Sequence, residues 1–157
     1  MRGFHPRVRR TRKGDFQLRL PEAERAVLRS LPGQLRQLLG SDDPAVSRLF
    51  PPAYPDDPER DAEYRSLVRD DLTSSKLRAA AVLEATVDAR RLDRDQLTAW
   101  LGALNDARLV LGTRLGVRED LDPEQIPDDH PDAPAFALFY YLGWLEEQVV
   151  EALASGP

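Results

Sequence analysis

Leu97-Thr-Ala-Trp-Leu-Gly-Ala-Leu-Asn-Asp-Ala-Arg-Leu-Val-Leu-Gly-Thr-Arg-Leu-Gly116 is the stretch whose reading decides the fold. Leu97, Trp100, Leu101, Leu104, Leu111 and Leu115 recur at helical spacing and make one apolar face. Asp93, with Gln96 three residues on, resembles a capping box that opens the helix, and Gly116 suits its end. Asn105, Asp106 and Arg108 are the compact polar group set into this apolar helix. Asn105 lies at the edge of the core stripe, so its amide needs a hydrogen bond wherever it is buried. Asp106 and Arg108 are two residues apart and do not share a helical face.

Beyond Gly116, residues 117–132 are broken by proline and rich in acid, which reads as an acidic surface loop. Asp132 is placed to cap a last helix over residues 133–154. Its apolar residues Phe136, Phe139, Tyr140, Leu142, Trp144, Leu145, Val149 and Leu153 cover nearly every side. So wide an arc suits a helix that is central to the core or shared with a second copy, a two-fold homodimer being the default geometry.

Upstream, Asp57-Pro58 is a cap followed by a first-turn proline and opens the longest helix, to about Ala89. Its stripe is Tyr64, Leu67, Val68, Leu72, Ala79, Val82, Leu83 and Thr86, with a bend expected at Thr73-Ser74-Ser75. Asp43-Pro44 repeats the cap-plus-proline signal for a short helix to Phe50, and residues 51–55 are a loop. From Pro21 the period is helical, with Ala23, Ala26, Val27, Ser30 and Leu31 on one face; Pro32 is expected to kink or restart that helix, whose second piece carries Leu35, Leu38 and Leu39 and stops at Gly40. Residues 7–20 alternate around Arg12-Lys-Gly-Asp15 and read as a β-hairpin.

The expected fold is therefore mainly α, a helical bundle with a short N-terminal β-hairpin. One domain over residues 1–157 comprises a basic arm and hairpin (1–20) and a bundle (21–154) that carries the acidic loop (117–132). A chain of 157 residues can bury roughly 70% of its unfolded surface. With 41% apolar and 31% charged residues, the mixture is that of a globular protein. No run approaches the ~20 apolar residues of a membrane span, and Met1-Arg-Gly-Phe-His-Pro-Arg7 is not the start of a secretory signal. A cytoplasmic protein without membrane contact is expected.

Chemistry is sparse. There is no cysteine, which excludes disulfides, thiolate metal sites and a thiol nucleophile in these residues. Ser74 and Ser75 have no histidine in a local motif, and neither a nucleophile elbow nor a Walker or dinucleotide fingerprint occurs. Asp128, Asp129, His130 and Asp132 fall in a proline-broken loop whose spacing fixes no coordination geometry, so they read as solvated. No enzyme, no metal and no cofactor is expected.

Charge is placed unevenly. Residues 1–20 hold Arg2, Arg7, Arg9, Arg10, Arg12, Lys13 and Arg19 against Asp15, for +6, while the rest carries −11 of the total −5. Arg7, Arg9, Arg10, Arg12 and Lys13 are the candidate contacts to nucleic acid or an acidic partner, weak and nonspecific in the first case. Asn105, Asp106, Arg108 and Arg114 are a candidate partner site or a structural polar network. A pocket between the signature and terminal helices would instead favour a small-molecule sensor or enzyme near Asn105–Arg108.

The stretches Phe16-Gln-Leu-Arg-Leu-Pro-Glu-Ala-Glu-Arg25, Leu31-Pro-Gly-Gln-Leu35, Arg48-Leu-Phe-Pro-Pro-Ala-Tyr54 and Leu101 to Gly116 together resemble an uncharacterised actinobacterial helical family, over residues 16–153. Members are commonly described as oxidative-stress transcriptional regulators, and their genes often lie beside the protease adaptor ClpS. The resemblance implies a non-enzymatic cytoplasmic regulator that acts in transcription or the stress response through protein contacts, with a sigma factor or RNA polymerase as partner. A direct DNA-binding regulator using the basic arm is the alternative. A redox switch built on a cysteine pair has no counterpart in this chain.

Overall fold

The structure, a computed structural model, describes residues 6–50, 52–117 and 121–156. Arg2 and His5 of the arm, Pro51 of the loop and residues 118–120 of the acidic loop lie outside the described residues. The chain runs β1 (Val8–Arg10), β2 (Phe16–Leu18), α1 (Glu22–Leu39), a 3-10 helix (Pro44–Leu49), α2 (Pro58–Thr86), β3 (Arg91–Leu92), α3 (Arg94–Leu115), a 3-10 turn (Pro123–Gln125) and α4 (Ala133–Ala154). It is mainly helical with a short hairpin at its N-terminal end, as the sequence predicts.

Local chemistry sets most of the boundaries. The Asp93 carboxylate accepts from the Gln96 backbone N–H while the Gln96 side chain accepts from Asp93, a complete capping box for α3. At its other end Gly116 takes φ +66°, the left-handed region that favours glycine. Asp57 caps α2 and Asp43 caps the 3-10 helix, each followed by its proline. Asp132 precedes α4 but makes no side-chain cap. Its backbone N–H instead donates to His130 Nδ1 at 3.0 Å.

Four expectations are corrected. Pro32 does not restart the helix, since α1 runs as one helix from Glu22 to Leu39 with Pro32 inside it. Pro32 is itself buried beside Leu31 and Leu35, so packing outweighs the one hydrogen bond it forfeits. The face of the first half of α1 also differs: Leu28 joins the expected Leu31, Leu35 and Leu39 in the core, while Ala23, Ala26, Val27 and Ser30 are exposed. In α2 only Ala80 and Leu83 are buried, whereas Tyr64, Leu67 and Leu72 lie on the surface. The helix also stops at Thr86 rather than Ala89.

The hairpin gains a third strand that no periodicity could announce. β3 pairs antiparallel with β2, Phe16 opposite Leu92 and Gln17 opposite Arg91, giving the order β1-β2-β3. Val8, Phe16, Leu18 and Leu92 turn inward onto the helices. The Arg25 guanidinium holds this corner, donating to the carbonyls of Leu20 and Ala89 at 3.1 Å each and to that of Val87.

α3 lies against α2, α4 and the 3-10 helix. Leu97, Trp100, Ala103, Leu104 and Ala107 join Leu83 of α2, Leu28 of α1 and Leu142, Leu145 and Val149 of α4 in the main core. Val110 meets a second cluster made by Leu39, Val46, Leu49 and Phe50. On α4 every one of the eight predicted apolar residues is buried or half-buried by the chain itself, Trp144 among the latter under the Arg7 guanidinium. The wide apolar arc is thus covered from several sides.

Trp100 is 0% exposed and its indole N–H donates to Thr86 Oγ1 at 2.7 Å. Trp100→Ala leaves a cavity at the centre of the core and should cost about 3–5 kcal/mol. Thermal unfolding measures it, and a near-unchanged midpoint would contradict the central placement of this ring.

Candidate functional site

The polar group of α3 divides over several sides of the helix. Asp106 faces α2, where its carboxylate takes a hydrogen bond and ion pair from Lys76 at 2.9 Å and is nearly shut from solvent. Burial pushes the Asp106 carboxyl up, and the Lys76 bond opposes that shift without cancelling it. Arg108, two residues on, turns instead to α4 and stands 4.0 Å from Glu146. Asn105 is half-buried with no side-chain hydrogen bond among the described residues. Arg114 reaches Asp43 at 2.7 Å, tying the end of α3 to the cap of the 3-10 helix.

Arg108 is held by two glycines that carry the geometry. A Cβ on Gly143 would stand 3.2 Å from Arg108 Nε, and one on Gly112 would stand 2.8 Å from the Phe139 ring. The bare backbone of α4 therefore lets Arg108 lie flat along it, and that of α3 lets Phe139 close on it. The guanidinium then sits 5.2 Å from the Phe139 ring centroid. Glu146 is the weaker partner, since burial raises its carboxyl well before Arg108 pulls it down, and nearby Asp106 raises it further. Beside this seam, α3, α4 and the 3-10 helix enclose a cleft of about 440 Å³.

The basic arm is redistributed by folding. Arg7 is spent inside the protein, bonded through Nε and Nη2 to Glu24 at 3.0–3.1 Å, and Glu24 also accepts from the Tyr141 hydroxyl at 2.8 Å. Burial, and then that bond to Glu24, push the Tyr141 phenol up, so it stays a donor. Arg10 donates to the Ser155 carbonyl at 2.6 Å. Arg9, Arg12 and Lys13 remain exposed, and the register sets Arg9, Gln17 and Arg91 in one outward row across the sheet. Arg19 and Arg90 flank that row, while Asp15 bonds Thr11 and faces Arg91 at 3.5 Å.

Sequence reasoning singled out Asp106, Arg108 and Arg114 but missed Lys76, Glu146, Arg48, Arg90 and Arg91, which reach their neighbours over long stretches of chain. Gly112 and Gly143 did carry a signal: glycine inside a helix costs stability and often marks a close approach. Among the described residues, no three histidine, aspartate or glutamate side chains converge as a metal site requires. No helix there is long and apolar enough to cross a membrane.

Glu146→Gln should separate burial from pairing. A carboxyl whose folded pKa lies above its unfolded value stabilises the protein at low pH, and that contribution is lost as pH rises through the window between the two. The melting temperature of the Gln variant relative to the original protein should therefore rise from pH 4 to pH 8. An unchanged difference would show that Glu146 is not desolvated.

Comparison with known proteins places the chain. The profile of the domain of unknown function DUF2017 matches residues 1–153. Relatives named oxidative stress regulator AosR, from Mycobacterium bovis and from Mycobacterium tuberculosis strain H37Rv, are each 34% identical over 128 residues. Each match covers 71% of this chain and 58% of the relative, so the chain corresponds to little more than half of those proteins. No solved structure matches it. The chain belongs to the DUF2017 family.

Proposed function

We propose that this protein is a non-enzymatic, cytoplasmic regulator of the stress response that works by holding another protein, a component of the transcription machinery. The similarity to proteins named oxidative stress regulators supports the regulatory role. The observation that favours a protein contact is the first half of α2, which leaves Tyr64, Leu67 and Leu72 on the surface, Leu67 at 79% exposure. Leu67, with Tyr64 one turn before it, offers apolar surface that a partner protein would cover. With no cysteine in the chain, the oxidant signal reaches it through something other than its own thiols.

The test compares the full chain with its Leu67→Asp variant in capture of purified RNA polymerase and purified sigma factors. A surface change here should leave stability within about 0.5 kcal/mol. The original protein should retain one component and the variant should lose it. Equal retention would take the contact off α2, and no retention of any component would overturn the reading.

The arginine row of the sheet favours a second activity, weak binding to nucleic-acid backbone. Arg9, Arg12, Lys13, Arg19 and Arg90 are exposed cations on or beside that face, which among the described residues carries no exposed aromatic ring to stack on a base. Binding through about four phosphates gives a logarithmic salt slope near −4. Duplexes of unrelated sequence should bind alike at low salt and weakly at physiological salt, and Arg9→Ala with Arg19→Ala should flatten the slope. Tight, sequence-specific binding that survives both substitutions would exclude this surface.

A further inference from the structure

The geometry points to the cleft between α3 and α4 as a binding site for a small organic carboxylate with an apolar body. Its volume, about 440 Å³, falls within the range of about 300–1,000 Å³ usual for small-molecule sites. Its charged lining among the described residues is Arg48 from the 3-10 helix and Arg108 from α3, and Glu146, which is not among the lining residues, meets Arg108 at 4.0 Å. Two arginines on one cleft, one of them with an incomplete ion pair, favour an anion there. The remaining walls include Leu109, Leu121 and Phe139, which ask for a hydrocarbon or aromatic body on that anion.

Two further observations indicate a built site. Arg108 is pre-set rather than mobile, because Gly143 gives its Nε room and Phe139 lies beneath its guanidinium. Little is then lost in ordering it when a ligand arrives. Its ion pair is also incomplete: Glu146 stands at 4.0 Å and the Arg108 side chain is 40% exposed, so donors remain for an incoming oxygen.

Benzoate, benzamide and inorganic phosphate titrated into the isotope-labelled full chain provide the test, followed by amide NMR shifts. Benzoate should give saturable shifts at residues 109–113 and 139–140. Neutral benzamide should bind about tenfold more weakly, the loss expected when a charge-assisted hydrogen bond goes. Phosphate, which has the charge without the apolar body, should be weaker as well. Arg108→Met and Arg48→Met should each reduce benzoate affinity about tenfold. Arg48 is an exposed side chain, so its variant keeps the test valid if Arg108→Met fails to fold. Benzamide or phosphate binding as well as benzoate would overturn the proposal. So would affinity unchanged in the Arg48 variant, or shifts that do not saturate at these amides.

Discussion

The burial of α3 is the constraint on which the other elements depend. A helix that carries Leu97, Trp100, Ala103, Leu104, Ala107 and Val110 into the interior has apolar surface on more than one side, so a single partner cannot cover it. Ala103 and Ala107 are small enough to let neighbouring helices approach closely, and Trp100 fills the space between them. Its indole N–H cannot stay unpaired there, and Thr86 answers it. Because Thr86 also donates to the Val82 carbonyl, its hydroxyl is used in both directions at the last residue of α2. From that fixed end the chain turns at once into β3, which joins β2 and carries the hairpin onto the core. Arg25 of α1 then bonds the same turn from the other side.

What the sequence makes legible follows from how local each signal is. The capping box at Asp93, the cap-plus-proline pairs at Asp43 and Asp57, and the left-handed Gly116 act within a few residues, so they can be read without knowing the fold. Pro32 is also a local signal, yet its effect is decided elsewhere. Buried with Leu28, Leu31 and Leu35, it gains more from packing than the helix loses at one hydrogen bond. In the first half of α1 the stripe is ambiguous because Ala23, Ala26 and Val27 satisfy the same period as the buried leucines, shifted by about one residue. Periodicity identifies a stripe, but the partner chooses which stripe is buried. β3, only Arg91 and Leu92, is too short to show any period. The candidate site was legible in the polar residues of α3 and illegible in Lys76 and Glu146, whose partnership with them exists only once the helices pack.

The same distinction governs charge. Counting arginines along residues 1–20 overstates what the arm offers, because Arg7 is committed to Glu24 and covers Trp144, and Arg10 is committed to the end of α4. The count also understates it, because Arg90 and Arg91 arrive from about seventy residues away and complete the outward row with Arg9. Strand register, rather than sequence position, determines which cations share a face. The exposed basic surface is therefore a property of the three-stranded sheet as a unit.

Asp106 and Arg108 show how one helix holds a closed and an open ion pair side by side. Two residues apart on α3, they project toward different helices, and each meets a side chain of opposite charge, Lys76 on α2 and Glu146 on α4. The Lys76–Asp106 pair is short and buried, and so is suited to fixing the register of α2 on α3, the best-supported role of such a pair. The Arg108–Glu146 pair is long, with Glu146 desolvated and Arg108 still partly in water. Glycine at 112 and at 143, where a better helix former would stabilise each helix by about 1 kcal/mol, sustains that looseness by making room for Phe139 and Arg108. A stability cost accepted twice around one under-bonded guanidinium marks α3–α4 as the seam where this bundle gives up packing for a polar group, and it is there that the cleft opens.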